Sequence, residues 1–298
     1  MTSLYPGQKA NQIVKRTEQK YQSAFQKLKR VEQETNGVAE SYGKYQLQVM
    51  SQTVKSFIDF LEVIGQKASS KERNILDTYS FEPNKLKEYK GATLEAKNLL
   101  TGGVTAATAS AATYGGALSV ATTVGAASTG TAISTLSGAA AWNATLAWFG
   151  GGAIAAGGGG MAVGAAVLGG ITALPALAVG GFMAKRSGEK ALTKAKQYQA
   201  KAKKQIADMK SAEELAQRIQ KRIKELHSIL LSLNTFASEG LNKLSSQNFN
   251  AEKDAEQLHK VYSNIRAILE IIETPVLNKE GTLNLQTLKI IEKYKQYI

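Results

Sequence analysis

The sequence predicts an all-α protein, with long amphipathic helices forming a bundle or coiled coil around a central Gly/Ala-rich hydrophobic helical hairpin. Three observations carry that expectation. Outside the centre, apolar residues recur at three- and four-residue steps, the period of a helix with one buried face. Alternating apolar and polar runs and hairpin punctuation are missing there. Residues 98–184 contain no Asp, Glu, Lys, Arg or His, in a chain of 298 residues with 37 Lys and Arg and 24 Asp and Glu. The gap in charge divides the chain into 1–97, N-terminal amphipathic helices; 98–184, a Gly/Ala-rich hydrophobic segment; and 185–298, basic and coiled-coil-like helices.

Taken in order, Ile13, Tyr21, Phe25, Leu28 and Val31 mark a first helix over 8–36, which the turn-forming pair Asn36-Gly37 is expected to end. A second helix over 39–67 carries the stripe Val54, Phe57, Ile58, Leu61 and Ile64. Ser69-Ser70 precedes another helical start, and Pro83 suits a break or a new first turn. A third helix, from Asn84, leads into the uncharged segment. Beyond that segment, Ala212, Leu215, Ile219, Leu226, Leu230 and Leu233 predict a coiled-coil-like helix over 188–239. Ser211 and Gly240 are candidate interruptions. Ala255, Leu258, Tyr262, Ile265, Leu269 and Ile272 give another helix, stopped by Pro275. Thr282 is expected to cap a last helix carrying Leu285, Leu288, Ile291 and Tyr294.

The uncharged segment is too apolar and too rich in glycine for an ordinary surface helix. A bilayer-spanning helix needs ~20 mostly apolar residues. The half before Leu136 is only weakly hydrophobic. Residues 141–184 are long enough for two crossings, with a turn near Gly169-Gly170 or Pro175. Gly152, Ala156, Gly160 and Gly164 fall at four-residue steps on one face, a ridge of small residues that lets helices approach closely. Ala117, Ala121 and Gly125 repeat that spacing in the weaker half. Trp142 and Trp148 open the stronger half, where indole rings favour the membrane interface. Lys185, Arg186, Lys190 and Lys194 follow the segment and suit anionic lipid headgroups. The net charge of +13 points the same way.

Several chemistries find no support. The chain has no cysteine, which excludes disulfides, thiolate metal sites and cysteine nucleophiles. No phosphate-binding Gly-x4-Gly-Lys run and no Gly-x-Ser-x-Gly elbow occur. Gly150-Gly151-Gly152 loosely fits a dinucleotide fingerprint, but the next acidic residue is Glu189, far past the position that would hold a ribose. Glu256 and His259 make one Glu-x-x-His with no second copy, because Lys224 stands three before His227. No catalytic residue, metal site or cofactor is therefore expected. The start of the chain, Met1 to Lys9, lacks a basic-then-apolar export signal, so synthesis in the cytoplasm is expected, followed by action at a membrane.

The stretch from Trp142 through Phe149-Gly150-Gly151 to Phe182-Met183-Ala184-Lys185, set between amphipathic helices, resembles α-helical membrane-permeabilising proteins. It is similar in composition and order to apolipoprotein-L-like proteins, colicin-type pore domains and haemolysin-type helical pore-formers. The resemblance implies bilayer insertion, homo-oligomerisation and ion leakage. The expected function is a membrane-inserting, pore-forming or permeabilising effector that hides its hairpin in a soluble form. The alternative is a membrane-anchored coiled-coil scaffold or remodelling protein without pore activity. Nucleic acid is the disfavoured partner, because the tyrosines form no recognisable nucleic-acid module.

Overall fold

The computed structural model describes residues 6–101, 188–278 and 282–297, which are almost wholly helical. Helix α1 (Pro6–Val49) passes through a short π-helical turn (Met50–Val54) into α2 (Lys55–Lys67). The flanking residues Val49 and Lys55 keep right-handed helical backbone, so the three pieces form one rod. Helix α3 (Ser70–Thr78) starts at Ser69, whose hydroxyl accepts from the Glu72 amide while the Glu72 carboxylate accepts from the Ser69 amide. That reciprocal pair satisfies two donors that a helix start leaves open. Helix α4 (Pro83–Thr101) opens on the proline, where the missing N–H costs nothing. Helix α5 (Gly188–Ser245) has 58 residues and is about 87 Å long at ~1.5 Å per residue. Helices α6 (Ala255–Glu273) and α7 (Leu285–Lys293) follow, and a 3-10 turn (Lys295–Tyr297) closes the chain. The one bridge between extended residues among those described joins Leu277 to Leu283.

The two long helices run parallel. Ala10 and Val14 pack with Ala195 and Tyr198. Tyr21 and Leu28 pack with Ala202, Met209 and Ala212. Farther along, Gln220 donates to the Val31 carbonyl (3.3 Å) and the Thr35 hydroxyl (2.8 Å), Asn234 donates to the Tyr45 hydroxyl (3.2 Å), and Thr53 meets Ser238 (3.2 Å). These bonds span 185 to 189 residues, so the register barely drifts. On α5 the buried positions Ala195, Tyr198, Ala202, Met209, Ala212, Ala216, Ile219, Ile223, Leu226, Leu230 and Leu233 follow the heptad spacing of a coiled coil.

The seam changes character along its length. In the first half the small residues Ala10, Thr17, Ala195 and Ala202 alternate with Val14, Tyr21, Leu28, Tyr198 and Met209. In the second half large aliphatic residues take over, and α4, α6 and α7 join. Here the rod that starts as α1 buries neighbouring positions in pairs, Val49 and Met50, Thr53 and Val54, Phe57 and Ile58. The π turn lies within this stretch and shifts the apolar face, so that the rod can meet several partners. The described residues therefore form a slender two-helix stalk and a thicker bundle containing most of their core. N-terminal and C-terminal helices contribute to that same core.

Five sequence expectations need correction. Asn36-Gly37 does not end α1, because Thr35, Ala39 and Tyr42 on either side are buried in the seam. Their burial outweighs the ~1 kcal/mol propensity cost of one glycine. Ser211 does not interrupt α5, for the same reason: Met209 and Ala212 are buried beside it. Gly240 is a close approach and not a break: a Cβ there would lie 2.6 Å from Val261 Cγ2 of α6. Asn284, not Thr282, caps α7, its side chain accepting from the Gln286 amide. Leu285 and Leu288 are 71% and 48% exposed, because α7 turns Thr287 and Ile290 to the bundle and ties Thr287 to Arg222 of α5.

Candidate functional site

Most of the residues singled out in the sequence, Gly152, Ala156, Gly160, Gly164, Trp142, Trp148, Lys185 and Arg186, lie outside the described residues, as does the expected hairpin. Lys190 and Lys194 are described: both sit on the first turns of α5 and are exposed. Among the described residues, no helix is long and apolar enough to cross a membrane.

The structure fixes where the chain leaves the described region and where it returns. Helix α4 doubles back along the rod, with Lys90 paired to Glu62 of α2 and its later residues against the π turn and α1. It ends at Thr101 on the bundle side. The chain re-emerges at Gly188, where Ala191 packs on the cluster of Ala10 and Val14 at the tip of the stalk.

Around Lys190 and Lys194 the parallel register gathers charge that the sequence leaves nearly two hundred residues apart. Lys9, Lys15, Arg16, Lys20, Lys27, Lys29 and Arg30 of α1 run beside Lys190, Lys194, Lys196, Lys201, Lys203, Lys204 and Lys210 of α5, and all are exposed. Glu18, Glu189 and Asp208 are the acids of residues 1–30 and 188–210, which leaves those two stretches +11 of the total +13. Lys27 pairs with Glu213 (2.7 Å), Arg30 with Glu34 (3.8 Å) and Lys210 with Glu214 (3.9 Å). The other eleven cations have no ion-pair partner among the described residues. Glu18 is occupied across the seam: it accepts from the Tyr198 hydroxyl and from Gln22, and those bonds hold its carboxyl below the usual range. The α1 half of this surface was legible only to someone who paired the heptads of α1 and α5 in parallel.

Two clefts stand out among the described residues of the bundle. One, of about 570 Å³, is lined by Phe60, Val63, Ile64, Leu76 and Phe249 between α2, α3 and the α5–α6 link. The other, of about 960 Å³, lies between α4, α6 and α7 and contains Tyr89, Tyr262, Tyr294, Arg266, Glu270 and Glu273. Its charges are largely engaged with each other: Glu270 accepts from Lys293 and Tyr294, both at 2.6 Å, and Arg266 lies over the Tyr262 ring. Among the described residues, no three His, Asp or Glu gather as metal ligands would.

His227 sits at the junction of stalk and bundle, 5.7 Å from the Tyr42 ring and 4.9 Å from that of Tyr45. Desolvation there pushes its pKa down, since a charged imidazolium loses water contacts that the rings do not replace. A depressed histidine contributes stability that is full above its unfolded pKa of ~6.5 and is lost as the pH falls through and below it. Acidification from about pH 7 to 5 is therefore expected to lower the midpoint of thermal unfolding, and His227→Gln to flatten that dependence. An equal slope in wild type and variant would exclude His227 as its source.

No protein-family model matches the chain, and neither does any curated protein or solved structure.

Proposed function

We propose that the protein is a membrane-inserting, permeabilising effector whose inserting element is the uncharged segment 98–184. The observation that supports this most is the contrast along the chain. An 87-residue stretch without a charged side chain interrupts helices that, where described, already bury their apolar stripes against one another. The described helices have no spare span-length apolar surface, so insertion falls to the segment. In this reading Gly152, Ala156, Gly160 and Gly164 form the ridge on which helices pack within a homo-oligomer. Trp142 and Trp148 anchor at the interface, and the basic residues from Lys185 to Lys194 meet anionic headgroups. The protein shifts from a soluble form, with the segment covered, to a membrane form, with the segment exposed. It carries out no reaction and needs no cofactor.

A second reading keeps the segment as an anchor only. The long parallel rod favours it, because a rod of about 90 Å is the geometry of a spacer or scaffold. Release of a trapped dye from anionic vesicles separates the two. An effector releases dye as it binds, and an anchor binds without release.

A further inference from the structure

We propose that the stalk is a two-helix docking surface for anionic lipid headgroups, to which α1 contributes as much as α5. The proposal rests on the membrane reading above and names the surface that first meets the bilayer. Each helix supplies seven exposed cations over about 30 Å of rod, so the charge forms extended rows rather than a pocket. Eleven of the fourteen have no ion-pair partner among the described residues. Like charges along two parallel helices repel, and they do so where only two helices share the seam, with Ala10, Thr17, Ala195 and Ala202 alternating with Val14, Tyr21, Leu28, Tyr198 and Met209. The repulsion along these rows is relieved when a negative plane faces them. Single-stranded nucleic acid fits less well. Stacking platforms need exposed rings, whereas Tyr21 and Tyr198 are buried in the seam and Phe25 is partly covered. In the sequence, three residues separate the end of the uncharged segment from the start of α5 at Gly188, so docking the stalk brings the end of that segment near the bilayer surface.

The test is co-sedimentation of the full chain with vesicles of neutral lipid, or of neutral lipid with roughly a third anionic lipid. The variant carries Lys9→Glu, Lys15→Glu, Arg16→Glu and Lys20→Glu, all on α1 and distant in sequence from the segment. The control carries Lys87→Glu, Lys224→Glu, Lys243→Glu and Lys253→Glu, the same charge change on the bundle. Wild type is expected to bind only the anionic vesicles and to lose binding between about 0.1 and 0.5 M salt. The α1 variant should bind at least roughly a hundredfold more weakly, while the control, with equal helix content, binds as wild type. Equal binding by the α1 variant, or an equal loss in the control, overturns the proposal. So does tight binding of a DNA duplex without vesicle binding. Dye release recorded in the same samples keeps the two ideas apart. Charge-dependent binding without release supports the docking surface and counts against the effector, whereas release undiminished in the α1 variant does the reverse.

Discussion

Leu230→Ala is expected to destabilise the protein by about 2–5 kcal/mol, read from urea unfolding followed by circular dichroism. Leu230 is fully buried on α5, the helix that packs against α1 on one side and α6 on the other. Removing its branched end takes away the transfer energy of three carbons and leaves a cavity that two rigid helices cannot easily close. Ala202→Gly in the stalk is the comparison. It deletes one methyl at an equally buried position and should cost only ~1 kcal/mol, chiefly through helix propensity. Similar losses at the two sites would contradict the division into a firm bundle and a weak stalk.

Gly160→Leu is expected to reduce vesicle leakage at least tenfold, about 1.4 kcal/mol of lost packing, while vesicle binding stays within about twofold of wild type. Where helices approach through a ridge of small residues, one large side chain forces their axes apart and removes contacts along the whole face. In the proposed account, binding rests on basic residues elsewhere and is spared. Unchanged leakage would remove Gly152, Ala156, Gly160 and Gly164 from the account.

The helical class was legible because the apolar period of α1, α5 and α6 is long and regular, and tertiary packing reinforces it. Ser69-Ser70, Pro83 and Pro275 each carry a local signal, and each falls beside the helix boundary it predicts. Three of the failures have one cause. Asn36-Gly37, Ser211 and Gly240 are local break signals inside helices whose buried neighbours hold them straight, and local propensity is the weaker term. Leu285 and Leu288 misled in the opposite way, since a stripe of leucines on a short helix does not say which face its Thr287 anchor will turn inward. The parallel pairing was the least legible feature. Nothing within either helix states its direction relative to the other, so the basic surface on Lys190 and Lys194 could be read in the sequence only by half. The remaining candidate site lies outside the described residues and rests on composition.

The central claim is that residues 98–184 enter a bilayer and make it leak. The most direct measurement is release of a small trapped dye from anionic vesicles, with bound protein and tryptophan emission recorded in the same sample. Trp142 and Trp148 are the two tryptophans of the chain and both lie in the segment, so emission reports on it alone. The account predicts binding, a blue shift of the emission and dye release together. Binding with neither blue shift nor release would contradict it, leaving a basic rod that touches membranes without entering them.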